Sequence, residues 1–337
     1  MKIQNKNVGD GSPTYIVLEI ARTYKNISEA IEMIEIAADA GADAIKIQSI
    51  LASELMINNE STNSYYKMLE GLYRTKEQHK ILKQACEKNN IHFLSTPEGE
   101  QMADMLQSLD MPAFKISSLN LVNFELLKKI MSYDKPIIVS TGMGSISEMD
   151  AVKTLFEKNK QKHNLALLHC SSTYPTKPEN CNLNNIALIK QRYDCIVGYS
   201  DHSIGITAPI IAVSMGASII EKHFTLDRNQ QGADHFVGVD EKMLREMVLR
   251  IRESELMLGS KNRNLCFDEQ KMKIFKRRKI VTNKEIRRGD TLKKDDLSLL
   301  QTKSYEGIES TFFDDIVGKE TVVDLPKNTI IEWKNIK

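Results

Sequence analysis

The sequence predicts an α/β chain: a (β/α)8 TIM barrel followed by a small, mostly β domain. Three observations carry that expectation. Eight short apolar runs are each followed by a stretch with helical spacing, within about 250 residues, the count and size of such a barrel. The main alternative, an open doubly wound sheet, is weakened because Ala21-Arg22-Thr23-Tyr24 stands where a glycine-rich dinucleotide fingerprint would follow the first strand. From Lys279 onward the pattern changes to short β runs and turns.

The first strand is Tyr15 to Ile20, and Ile27 to Ala40 reads as its helix, with Ser28 as N-cap and Gly41 as the stop. Ala44 to Gln48 is the second strand. A polar excursion, Ser49 to Tyr66, precedes a helix over Lys76 to Lys88. The alternation then becomes regular. Strands Ile91–Ser95, Ala113–Ile116 and Pro136–Ser140 lead to helices Glu100–Leu109, Asn123–Met131 and Ser147–Glu157. Strands Leu165–His169, Cys195–Gly198 and Ser218–Lys222 lead to helices Asn184–Gln191, Ile204–Met215 and Glu241–Leu258. The expected division is a barrel over residues 1–260, a charged linker over 261–277 and a small domain over 278–337. That domain has little core of its own and is expected to pack on something.

Composition sets the function classes aside more than it selects among them. A content of 41% hydrophobic and 27% charged residues is ordinary for a globular protein. The net charge of +1 gives no global reason to expect nucleic acid or a membrane as partner. Five cysteines without C-x-x-C spacing fit a reducing compartment, and no apolar leader or spanning stretch is visible, so a cytoplasmic protein is expected.

In a barrel, catalytic groups collect at the C-terminal ends of the strands. Those ends carry Glu19, Lys46 with Gln48, Thr96, Lys115 with Ser118, Ser140, His169, Ser172 with Tyr174, Ser200 with His202, and Glu221 with His223. Lysines ending apolar strands need a reason, since lysine is rarely buried unpaired. An anionic substrate group would supply one, with Thr96, Ser118, Ser140 and Ser200 as hydroxyl donors. The competing reading pairs each lysine with a barrel carboxylate such as Glu19. His202 and His223 could hold one divalent metal over a substrate, although two imidazoles fall short of a closed zinc site. They could equally be a hydrogen-bonded wall.

These stretches also resemble a known family. Ala40 to Gln48, Phe93-Leu94-Ser95-Thr96-Pro97, Phe114-Lys115-Ile116, Lys135 to Met143, Leu168-His169-Cys170, Gly198 to His202 and Glu221 to Arg228 resemble, in order, the sialic acid synthase family. The C-terminal part resembles its SAF (antifreeze-like, β-clip) domain. The resemblance implies an enzyme that condenses phosphoenolpyruvate with an N-acylated mannose-type amino sugar to a nine-carbon 2-keto acid, releasing phosphate. It implies that His202 and His223 bind a divalent metal, commonly Mn²⁺, with Mg²⁺ or Co²⁺ as alternatives. Glu221 and Asp234 stand beside that metal, and Lys46, Thr96, Lys115, Ser118, Ser140, Ser172 and Ser200 bind phosphoenolpyruvate. Gln48, Tyr174 and Asn120 fall on the sugar side. In the implied domain-swapped homodimer, Lys303 reaches the sugar site of the other copy.

The sugar side departs from the family pattern. Thr23-Tyr24-Lys25-Asn26 replaces an Asn- or Thr-His-x-Gly loop, Asn120 stands where an acid is expected, and Lys303 stands where an arginine is. The donor and metal sets are intact, which points to a changed sugar more than to lost activity. Two alternatives stand beside this: a non-catalytic or altered-specificity relative that binds a sugar or partner, and a barrel aldolase with a Schiff-base lysine.

Overall fold

Eight of the apolar runs pair, each with its neighbour in sequence, into one parallel sheet. In the computed structural model, which describes residues 1–161, 164–260 and 262–337, the sheet is preceded by a small antiparallel hairpin, β1 (Lys2–Ile3) and β2 (Lys6–Asn7). The strands are β3 (Tyr15–Glu19), β4 (Ala44–Ser49), β5 (His92–Pro97), β6 (Phe114–Ile116), β7 (Ile137–Ser140), β8 (Leu165–Cys170), β9 (Ile196–Asp201) and β10 (Ile219–His223). They run in the order β5-β4-β3-β10-β9-β8-β7-β6, and β5 lies beside β6, which closes the barrel. The expected (β/α)8 barrel is the fold.

Several strands run further than their apolar stretch. β5 extends to Pro97 and β9 to Asp201, because the backbone of the polar residues at the C-terminal rim still pairs in the ladder. Helix Ile27–Asp39 begins one step before the expected cap. Asn26, not Ser28, is the N-cap, its side chain accepting from Glu29 N (3.0 Å). The polar excursion holds two helices, Ala52–Leu55 and Asn63–Gly71, joined by a small cluster of Ile50, Ala52 and Leu69.

The period-2 alternation of strands sorts the core into two sets. Outward residues such as Ile16, Leu18, Ile45, Phe93, Val139, Leu167 and Ile220 pack beneath the helices, against Met33, Ile34, Leu82, Leu127, Phe156 and Met247. Inward residues Val17, Ala44, Leu94, Ile138, Leu168 and Ile219 fill the barrel floor, together with Ile3 of the hairpin and Val8 just after it. Space there is tight at Gly198. A Cβ would come within 2.5 Å of both the Ile219 carbonyl oxygen and Leu168 Cδ2, so only glycine lets β8, β9 and β10 meet.

One charged pair is buried with the outward set. Lys222 Nζ donates to Asp201 Oδ2 (2.6 Å), both side chains are fully buried, and the two residues are register partners on β10 and β9. Asp201 Oδ1 also accepts from Ser203 N (2.8 Å) and the Tyr199 hydroxyl (3.0 Å).

The chain divides into two units, Met1–Gly259 and Ser260–Lys337. In the second, β11 (Arg278–Thr282) pairs antiparallel with β12 (Leu297–Gln301). Ile280, Ile286, Leu292, Leu297, Ile308, Ile316, Leu325 and Ile331 give that unit a core of its own, against expectation. Its turns bring apolar residues from short, separated bridges together, which a strand-by-strand reading undercounts. The stretch expected to be linker contains helix Phe267–Lys276, capped by Cys266, with acidic residues in its first turn and lysines in its last. No helix among the described residues is long and apolar enough to cross a membrane.

Candidate active site

Above the apolar floor, the next inward layer is polar. Glu19, Lys46, Thr96, Lys115, Ser140, Ser200 and Glu221 succeed the floor residues on their strands, and Gln48, His202 and His223 stand higher still. They line one cavity of about 450 Å³ at the C-terminal rim, with Ser118, Ser172, Tyr174 and Asp234 from the loops. The structure therefore brings together every residue expected to touch phosphoenolpyruvate and both histidines. Asn120 is buried behind this wall, and Lys303 belongs to the second unit.

The two lysines are held differently. Lys46 Nζ donates to Glu19 Oε2, its neighbour in register, and more weakly to Thr96 Oγ1 (3.4 Å). The carboxylate-paired reading thus describes Lys46 as the chain stands. Burial lowers its pKa, but Glu19 and Glu221 outweigh burial and raise it. Lys115 Nζ donates to Ser140 Oγ (2.7 Å) and the Ile116 carbonyl (3.1 Å), with Glu221 Oε1 at 3.6 Å. Its pKa is lowered, chiefly by burial and also by Lys46, with Glu221 only partly offsetting. Glu221 sits between both ammonium groups and accepts from Ser200 (3.1 Å). Burial raises its pKa, yet the two lysines and this hydrogen bond outweigh that and hold it low. A second anion entering here would meet cations whose charge is already shared.

Two residues past Ser140, Gly142 creates a narrow cradle. A Cβ there would fall 2.2 Å from Ser172 Oγ and 2.7 Å from Ser118 Oγ, and Gly142 N donates to Ser118 Oγ (2.9 Å). Glycine thus lets two hydroxyls and a backbone amide converge on one spot.

The histidines meet at the other side. Their ring centroids are 5.5 Å apart. His202 Nδ1 lies 2.7 Å from the Ser171 carbonyl, which assigns its proton there and leaves Nε2 to accept from the Tyr174 hydroxyl (2.8 Å). Tyr174 stacks on the same ring at 4.0 Å. Burial, with the Lys46 ammonium, holds the His223 pKa well below its ordinary value, so that its imidazole is neutral. His223 Nδ1 lies 3.9 Å from Asp234 Oδ2. Among the described residues no cluster of three or more His, Cys, Asp or Glu side chains forms a closed metal site. Two imidazole donors beside a carboxylate instead suit an ion with open positions.

Three groups on this wall escaped the sequence reading: Arg22, Glu98 and Cys170. Arg22 lines the cavity with its Nε buried and unpartnered. Cys170 Sγ is 3.8 Å from His202 Nδ1. Glu98 follows β5 directly, and its Oε2 accepts from Asn120 Nδ2 (2.6 Å) and Ser117 Oγ (3.1 Å).

With this geometry established, comparison with known proteins is decisive. The NeuB family model matches residues 33–263, and the SAF domain model matches residues 277–337. The chain belongs to the NeuB family. An uncharacterised protein of Methanocaldococcus jannaschii is 38% identical, covering 100% of this chain and 98% of its own. The N,N'-diacetyllegionaminic acid synthase of Legionella pneumophila is 32% identical over 98% of this chain and 96% of its own. The crystal structure of an N-acetylneuraminic acid (sialic acid) synthetase from Leptospira borgpetersenii matches with a TM-score of 0.74 and 32% identity, covering 80% of this chain and 93% of that one. The family expected from the motifs is thus the family found, barrel and SAF domain together.

Proposed function

We propose that the chain is a nonulosonic (sialic-type) acid synthase that condenses phosphoenolpyruvate with an N-acylated mannose-type amino sugar and releases phosphate. One observation carries this reading: a single cavity joins two buried lysines and a set of convergent hydroxyls to a pair of histidines. The names of the Legionella and Leptospira relatives support the reaction class.

In this reading Lys46 and Lys115 neutralise the donor's anionic groups, while Thr96, Ser118, Ser140, Ser172 and Ser200 donate hydroxyl protons to its oxygens. Glu221 keeps both ammonium groups in place between turnovers. The enol carbon attacks the aldehyde of the open sugar, forming the carbon–carbon bond. Water then adds at C2, and phosphate leaves by C–O cleavage. Asp234 and Glu221 are the acids placed to handle the protons of that water, and Gln48 and Tyr174 face the acceptor. His202 and His223 would hold a divalent metal, Mn²⁺ first and Mg²⁺ or Co²⁺ next, which when bound polarises a carbonyl oxygen as a Lewis acid. The proposal includes a homodimer in which Lys303 serves the other copy's sugar site, a state that sedimentation velocity reads directly.

The test is phosphate release with phosphoenolpyruvate, Mn²⁺ and a panel of acylamino hexoses, alongside calorimetric titration of Mn²⁺ into the metal-free protein. Turnover with at least one sugar is expected. His223→Ala should lose both turnover and the Mn²⁺ isotherm while melting near the parent temperature, since a rim residue is not core. No turnover with any sugar, with phosphoenolpyruvate still protecting against heat, would leave a binding protein and remove the enzyme. One observation favours a second reading: burial lowers the Lys115 pKa, as a Schiff-base lysine requires. Borohydride trapping of a keto acid on Lys115 would decide for it.

A further inference from the structure

Glu98 has no role in the reaction as described so far, yet it is a buried carboxyl on the cavity wall. Both of its hydrogen bonds fall on Oε2, from Asn120 and Ser117. The two cavity lysines pair elsewhere, with Glu19 and Glu221. A carboxyl so placed keeps one oxygen, Oε1, for a donor arriving in the cavity, and burying it without a cation is costly until that donor arrives. Arg22 lines the same cavity, and its charge acts on both Glu98 and Asp234.

We propose that Glu98 is a substrate-binding carboxylate for the acceptor: its Oε1 accepts from a hydroxyl or amide N–H of the acylamino sugar, Asn120 and Ser117 fix its orientation, and Arg22 supplies the donor for a neighbouring carbonyl oxygen. The inference rests on the acceptor reading given above. It also explains why position 120 tolerates a neutral residue. Asn120 lies behind the wall, so the acid has moved one strand over and the site keeps its negative charge. Burial raises the Glu98 pKa to about 7, against the opposing effects of the Ser117 hydrogen bond and of Lys46, Lys115 and Arg22. Glu54, which accepts from Gln101 N (2.8 Å), is the other charged group beside this turn. Acceptor binding should therefore strengthen as the pH rises through about 7, where the carboxylate forms.

The experiment is initial-rate kinetics at saturating phosphoenolpyruvate, from roughly pH 5.5 to 8.5, for the parent, Glu98→Gln and Glu98→Asp. Gln keeps an oxygen for Asn120 and Ser117, so the variant should melt no lower than the parent. Its acceptor KM at high pH should rise about 10-fold or more, the loss expected for a hydrogen bond to a charged group. The KM for phosphoenolpyruvate should stay within about two-fold of the parent's, below the scale of one lost hydrogen bond. The acidic limb should vanish in Glu98→Gln and persist in Glu98→Asp. Parent-like acceptor KM and pH profile in Glu98→Gln overturn this inference and leave the functional reading intact. Absence of turnover by the parent with every sugar overturns both.

Discussion

Replacing Lys222 with methionine should destabilise the barrel more than any change at its catalytic rim. The substitution keeps an unbranched apolar stem, with sulfur in place of one methylene, and removes the ammonium. Asp201 then keeps its hydrogen bonds from Ser203 N and Tyr199 but loses its one cation, in a place with no solvent exposure. Breaking a buried pair by removing one partner costs about 3–5 kcal/mol, because the remaining charge is stranded. Burial already lowers the Lys222 pKa, with Asp201 opposing, so the pair is dearly desolvated to begin with. For a unit the size of Met1–Gly259, 1 kcal/mol moves the melting point by roughly 2–4 °C, so the expected drop is about 6–20 °C. Differential scanning calorimetry measures it. The double variant Asp201→Asn/Lys222→Met should recover at least half the loss, since no charge is left stranded. A single variant that melts within about 2 °C of the parent would refute the reasoning. So would a double variant whose loss is the sum of the two single losses. Asp201 directly precedes His202, just past the end of β9, and Lys222 directly precedes His223 on β10, so a loosened clamp should also weaken Mn²⁺ binding.

Gly142→Ala should leave the unliganded melting point near the parent's but abolish the upward shift given by phosphoenolpyruvate, because the new methyl displaces Ser118 and Ser172; an unchanged shift would separate that cradle from donor binding. Glu98→Gln should stabilise the protein with a defined pH dependence. The folded carboxyl titrates at about 7 and the unfolded one at the ordinary 4.5, so the native state loses stability as the pH rises from 4.5 to 7. Above that window the penalty is on the order of 3 kcal/mol, and the variant's advantage in melting should grow to that size between the two pH values. An advantage that does not change with pH would contradict the assignment.

The barrel was legible because each strand announces itself as an apolar run, and the rim lysines and histidines because they end such runs. What the sequence left out follows from physics that spacing does not carry. The pairing of Lys46 with Glu19 depends on the β3–β4 register, not on the distance between them along the chain. Glu98 sits past Pro97 and just before helix Glu100–Gln107, where an acid reads as a solvated first-turn charge. Only the barrel's closure at β5 and β6 turns it inward to meet Asn120. Asn120 shows the converse: its motif placed it at the sugar, but depth behind the wall cannot be read from a motif. Asn26 likewise reads in the motif only as a missing glycine, whereas the extended backbone before helix Ile27–Asp39 makes it the N-cap.

The division between an apolar floor and a polar rim has a consequence for anyone wishing to retune this scaffold. Val17, Leu94, Ile138, Leu168 and Ile219 hold the strands in register, whereas Gln48, Glu98 and Tyr174 stand one or two layers above them and bear little of the packing. A combinatorial library confined to those three upper positions would sample new acceptors while the folding problem stays solved. Because β-strand side chains alternate, Gln48 on β4 also has its nearest strand neighbours on the opposite face, shielded from its changes, while Glu98 and Tyr174 stand past the ends of their strands. Selection could then act on chemistry alone, with expression level serving as a constant rather than a confounder.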